Sequence, residues 1–150
     1  MIKQSTKVPR LLQTVLEDYD GLQVIHDFGS GVSEAAPTLA AEQGKALYRY
    51  DPRLPEETNK EFWDNIGETD AVLSINVLNT IMDEGELTHA MLDILRASAK
   101  AKIGAIVMTS RTTGKNQRGE TMDYYAALFT GLTDRLIDMH HGKIWIAPDE

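Results

Sequence analysis

The 150-residue chain contains no cysteine. That single absence removes disulfides, thiolate metal sites and cysteine nucleophiles together. Long apolar runs are missing as well, none approaching the roughly 20 residues a bilayer span needs, so no membrane is expected among its partners. The N-terminal MIKQSTKVPR is polar and lacks the apolar core of a secretory signal, which makes the cytoplasm the expected compartment. Positive charge is scarce: 15 Lys and Arg stand against 23 Asp and Glu, a formal charge of −8. Affinity for phosphate backbones comes from cations that neutralise them, so strong nonspecific nucleic-acid binding is not expected. Lys100, Lys102, Arg111, Lys115 and Arg118 nevertheless cluster in the second half, a limited basic patch that reads more readily as solvated surface than as an anion site.

What is present is ordinary for a globular domain: 42% hydrophobic and 25% charged residues, without repeats, low-complexity segments or a Pro/Gly/Ser linker. One core over residues 1–150 is expected. Apolar residues at helical spacing predict a lead-in helix over residues 8–19, stopped by Gly21. Residues 22–28 then read as a buried strand running into Gly29-Ser30-Gly31. A helix follows over residues 33–43 with Ser33 as its cap, and Pro37 restricts where it starts. Strands are expected at 46–50, 70–77 and 104–109, and helices at 56–66, at 121–130 and from Asp83 to about residue 100. Segments 136–139 and 143–147 flank His140-His141-Gly142, a hairpin signal. Alternating strands and helices imply a Rossmann-like, doubly wound, mostly parallel α/β sheet ending in that antiparallel hairpin. Ligands of such sheets bind beyond the carboxyl ends of the strands. Residues 110–120 are polar and glycine-punctuated, and are expected to form a mobile lid there, with Arg111, Lys115 and Arg118 as substrate or lid residues.

The motif Asp27-x-Gly29-x-Gly31 stands between a predicted strand and a predicted helix, the context in which a glycine loop lets a ligand approach the backbone. A dinucleotide fold wants G-x-G-x-x-G, but Glu34 occupies the third glycine position and would set a negative charge against a pyrophosphate. Asp51 closes the second strand about 20 residues on, where a carboxylate accepts hydrogen bonds from a ribose diol.

With these segments the sequence resembles the class I S-adenosylmethionine (SAM) dependent methyltransferase family. VIHDFGSG matches its first strand and glycine loop, YRYDP its ribose-binding strand end, and DAVLSINVLNTI the strand leading to the reaction centre. The resemblance is closest to a small subgroup of bacteria and bacteriophages, which GAIVMTSR and the terminal GKIWIAP also fit, and it covers most of the chain from residue 22 onward. It implies SAM as cofactor and methyl transfer as activity. Asp27, Phe28, Gly29, Ser30 and Gly31 would line the methionine part, Asp51 and Pro52 the ribose, with Asn76 and Val77 near the donor methyl. Two departures are visible: Ser33 replaces a third glycine, and the family's usual third strand is not evident between residues 53 and 69. A cytosine-C5 methyltransferase is excluded, since that chemistry needs a cysteine.

Asn76-Val77-Leu78-Asn79 stands where amino-methylating nucleic-acid enzymes carry Asn/Asp-Pro-Pro-aromatic; without prolines or an aromatic residue, adenine-N6 and cytosine-N4 methylation are disfavoured. Asn76, the one catalytic candidate, reads equally as a cofactor or substrate contact and as a structural amide. Asn79 reads first as a cap or turn residue and second as a substrate contact. His26 is expected to be a hydrogen-bonded core histidine, His140 and His141 to face solvent, and the acids near His89 to serve the helix dipole rather than a metal. Tyr48, Tyr50, Trp63, Tyr124 and Tyr125 read as core aromatics. No Ser-His-Asp pattern supports a hydrolase. A noncatalytic SAM-binding or regulatory module and a nicotinamide or other nucleotide-binding Rossmann domain remain as rivals. The acceptor, the catalytic base and the oligomeric state stay open.

Overall fold

A computed structural model describes residues 8–109 and 121–150. The expected lid at 110–120, and Arg111, Lys115 and Arg118 with it, lie outside the described residues. The elements run α1 (Arg10–Asp18), β1 (Val24–Phe28), α2 (Ala35–Glu42), β2 (Ala46–Tyr50), α3 (Glu56–Asp64), β3 (Ala71–Ile75), α4 (Glu84–Ser98), β4 (Ala105–Met108), α5 (Met122–Leu132), β5 (Ile137–His140) and β6 (Lys143–Ile146), with 3-10 turns at Ile66–Glu68 and Leu78–Thr80. The six strands form one sheet in the order β2-β1-β3-β4-β6-β5. The first four are mutually parallel and the β5–β6 hairpin joins β4 antiparallel. This is the doubly wound α/β arrangement of class I methyltransferases.

Alternation along each strand divides the core in two. Ile25, Leu73 and Ile75 meet Leu12, Leu16 and Ala40 of α1 and α2 on one face. On the other, Phe28, Val72 and Val107 meet Phe62 of α3, Met91 and Ile94 of α4, and Phe129 of α5. The central strand β3 is thus buried on both sides, which is why residues 71–75 are apolar apart from Ser74.

Several boundaries differ from expectation. α1 starts at Arg10 because Pro9, at φ −54° and ψ 140°, is itself extended as the cap residue, and a proline disfavours the helical region for the residue before it. Glu34, not Ser33, occupies the cap position of α2, while Ser33 Oγ accepts the Ala35 N–H at 3.2 Å. Pro37 then falls in the first turn, where its missing N–H costs no helical bond. Asp83 does cap α4, accepting Glu86 N–H at 2.8 Å. At the hairpin, His141 and Gly142 take φ of 50° and 74°, the left-handed pair that matches the strand twist. No described helix is long and apolar enough to cross a membrane.

Arg135, which sequence patterning did not single out, ties the hairpin to α4. Its guanidinium donates to Ala147 O (2.6 Å), Leu95 O (2.7 Å) and both Ser98 O (3.2 Å) and Oγ (3.0 Å), so that a cation meets carbonyls of the last helical turn.

Candidate functional site

The glycine loop is drawn across the end of the neighbouring strand: Gly29 and Ser30 both donate their N–H to Tyr50 O, at 2.7 and 3.1 Å. Gly29 has φ +83°, and a Cβ there would fall on the Val77 Cγ2 methyl. Glycine is required at that point by backbone and packing together. Asn76, directly after β3, has φ 59°, a conformation that asparagine tolerates better than most residues, and its N–H donates to Met108 O at 2.8 Å. The ends of β1, β2, β3 and β4 are thereby fastened to one another around a common opening.

At that opening lies a cavity of about 620 Å³, within the range of small-molecule sites. Phe28 and Tyr50, stacked at 5.1 Å with planes 9° apart, form one wall. Gly29, Asn76 and Val77 border it, Ile81 and Ala90 add apolar surface, and the first turns of α4 contribute Asp83, Glu86, His89 and Asp93. Asp51 and Pro52 complete the lining with Arg53.

Asp51 is held from four directions and is 5% exposed. The amide of Asn59, on α3, pairs with the Asp51 backbone through both its atoms, at 3.0 and 2.9 Å. The carboxylate accepts from Arg53 N (2.9 Å) and Nε (3.0 Å) on Oδ1, and from Gly31 N (2.9 Å) and Arg53 Nη2 (3.1 Å) on Oδ2. Burial alone would raise its pKa, but these donors outweigh it and hold the carboxyl below the usual range.

Asp27 is in a different state. Its carboxyl is 4% exposed and accepts no hydrogen bond from a described residue, and burial pushes its pKa up to about 7, against the pull of Arg49 and helped by the nearby Asp51 charge. Arg49 pairs in register with it but donates to Ser33 O at 3.0 Å and to the Glu34 carboxylate at 3.4 Å. His26 faces the opposite side of the sheet, stacked on Tyr48 at 4.9 Å with Nε2 2.9 Å from Phe62 O. Burial lowers its pKa to about 4, so the ring is neutral, with Nε2 donating to the carbonyl.

Of the expected cofactor residues, Phe28, Gly29, Asp51, Pro52, Asn76 and Val77 line the cavity. Asp27, Ser30 and Gly31 do not; Gly31 acts behind it, through its N–H to Asp51. Asn79 is 2% exposed in the turn after Val77 and is also absent from the lining. Sequence reading overlooked Arg53, two residues past the strand-end acid, and it assigned the Asp83, Glu86 and His89 region to helix stability alone. The helical spacing of Glu86, His89, Ala90 and Asp93, one face over two turns, was the available signal. No protein-family model matches the chain, and a search of curated proteins finds no match either.

Proposed function

We propose that the chain is a class I methyltransferase-type domain that binds S-adenosylmethionine in the strand-end cavity and transfers its methyl group to an acceptor. The observation that carries this reading is Asp51: a buried, ionised carboxylate at the end of β2 that lines the cavity and is bonded to the glycine loop 20 residues upstream.

The residues suit the cofactor's chemistry. An ionised carboxylate has about four acceptor positions, and all are used here, two of them by the Arg53 guanidinium. That side chain is 69% exposed, so turning it into water frees two acceptors, the number a ribose diol uses, while Gly31 N–H and Arg53 N–H keep the carboxylate oriented. Charge points the same way. Among the described residues Asp51, Asp83, Glu86 and Asp93 line the cavity, and the two basic side chains there, Arg53 and His89, already pair with Asp51 and Asp93. Carboxylates in that number favour a cationic ligand and oppose a pyrophosphate.

When bound, SAM supplies an electrophilic methyl on a cationic sulfur. Asp51 takes the ribose hydroxyls; Phe28, Tyr50, Val77 and Ile81 exclude water; Asn76 sets its amide at the end of β3. The chain's contribution is mainly positioning and desolvation. The rival nucleotide reading draws on Arg53, since an arginine beside the strand-end acid is what a 2′-phosphate would meet.

Calorimetry separates the two. SAM should bind more tightly than either nicotinamide dinucleotide, and Asp51→Ala should weaken SAM by at least tenfold, matching the loss of charge-assisted bonds on the order of 1.5 to 3 kcal/mol. Unchanged SAM affinity in Asp51→Ala, or a phosphorylated dinucleotide binding better, overturns the proposal. Acceptor-dependent release of S-adenosylhomocysteine distinguishes an enzyme from a binding module.

A further inference from the structure

The two faces of the sheet are covered unequally. α3, α4 and α5 pack on one, whereas among the described residues only α1 and α2 pack on the other. Between α1 and the β4-β6-β5 end of that second face runs a groove of about 880 Å³, away from the strand-end cavity and sharing no residue with it. Its apolar lining comes from Leu11 and Val15 of α1, Leu22, Ile103, and Ile106 and Met108 of β4.

The charge of this groove opposes that of the protein. Arg10, Lys102, Lys143, His140 and His141 line it and, among the described residues, no carboxylate does, in a chain whose formal charge is −8. These groups are unevenly placed. Lys143 pairs with His140 at the hairpin tip, and β6 runs antiparallel to β4 with Ile144 beside Val107, so the tip lies at the carboxyl end of β4. α1 runs from Arg10 toward Gly21 and the start of β1, which sets Arg10 near the same end and Lys102, whose Nζ donates to Gly21 O at 3.1 Å, at the other. A smaller depression adjoins it over Trp145 and is lined by a carboxylate, Asp138, whose Oδ1 accepts the Met139 N–H at 2.9 Å.

We propose that this groove is a second ligand site, for a small amphiphilic anion. The apolar part lies along Leu11, Val15, Ile106 and Met108, and a carboxylate or phosphate head sits among Arg10, His140, His141 and Lys143. Volume and lining are those of a small-molecule site, mostly apolar with a few convergent polar groups. Charge complementarity selects the sign of the head. The inference is independent of what the strand-end cavity holds.

Dodecanoate, below its micellar concentration, is a suitable probe. Trp145 borders the groove and becomes the sole tryptophan in a Trp63→Phe background, since the chain has two. Titration should change its emission to saturation at one equivalent, with calorimetry giving the same affinity. Dodecyltrimethylammonium should bind at least tenfold more weakly. Arg10→Glu combined with Lys143→Glu, with thermal unfolding checked against the parent, should weaken dodecanoate at least tenfold, and saturating SAM should leave its affinity unchanged. Absence of saturable dodecanoate binding, equal binding of the cationic amphiphile, or full affinity in the folded charge-reversal variant overturns the proposal. Competition by SAM also overturns it, because the probe would then occupy the other cavity.

Discussion

The Arg53 guanidinium forks onto the Asp51 carboxylate, Nε to Oδ1 at 3.0 Å and Nη2 to Oδ2 at 3.1 Å. The pair is half in water: Arg53 is 69% exposed and Asp51 7% by side chain. If the fork covers the ribose-facing acceptors, Arg53→Ala should tighten SAM binding about threefold to tenfold, because displacing the guanidinium no longer opposes association. Stability should fall by roughly 1 to 2 kcal/mol, since a buried carboxylate loses two charge-assisted donors whose other end stands in water. Calorimetry and urea unfolding read the two quantities, and a loss of SAM affinity would make Arg53 a ligand contact instead of a competitor.

Gly29 and Val77 set the closest approach in the site. Gly29→Ala has to bear a left-handed φ, costing roughly 1–2 kcal/mol, and a methyl collision costing roughly 1–3 more. Adding Val77→Ala should recover the collision part alone. A double-mutant cycle in urea checks this, and additive losses would mean that the two side chains do not meet.

At Asn76, backbone and amide roles are separable. Asn76→Gly keeps the φ of 59° at little cost, whereas Asn76→Ala strains it. Methyl transfer or SAM affinity that falls equally in both variants, with stability lost only in the alanine variant, assigns the role to the amide. Full function in the glycine variant leaves Asn76 as a turn residue.

Asp27 makes stability depend on pH with a defined sign. Its folded pKa, about 7, lies above the ordinary 3.8, so the folded state retains a proton that the unfolded chain has released. The associated stability is complete below about pH 4 and disappears as pH rises through 7, a change of up to about 4 kcal/mol. Asp27→Asn removes this dependence, so its melting temperature relative to the parent should be higher at pH 8 than at pH 5. A constant difference across that range would show that Asp27 titrates normally.

Arg135→Lys should destabilise the fold by about 2 kcal/mol, since one ammonium cannot replace a guanidinium that reaches α4 and the hairpin together. SAM affinity should be unchanged below the melting transition, because none of these contacts lines the cavity. Thermal unfolding and calorimetry give the two readings.

The order of strands and helices was legible because it rests on local signals. Apolar runs such as AVLSI, the stops at Gly21 and Gly44, and the Asp83 cap each act within a few residues. Most of the cavity's β-strand margin was legible for the same reason, since doubly wound folds place ligands at strand ends. Arg53 was missed although its partner stands only two residues away: the turn that brings its backbone N–H and guanidinium back onto the Asp51 carboxylate follows no helical or strand period.

By itself the sequence determined the alternation of elements, the glycine at position 29, and the acid at the end of the second strand, because periodicity and backbone sterics are properties of neighbouring residues. Only the tertiary structure decided that Asp27 is withdrawn from water while Asp51 is ionised, that α4 turns its acids toward the cavity, and that a basic groove opens on the opposite face. Desolvation and charge pairing depend on atoms brought together from distant parts of the chain, and those distances exist only once the sheet has formed.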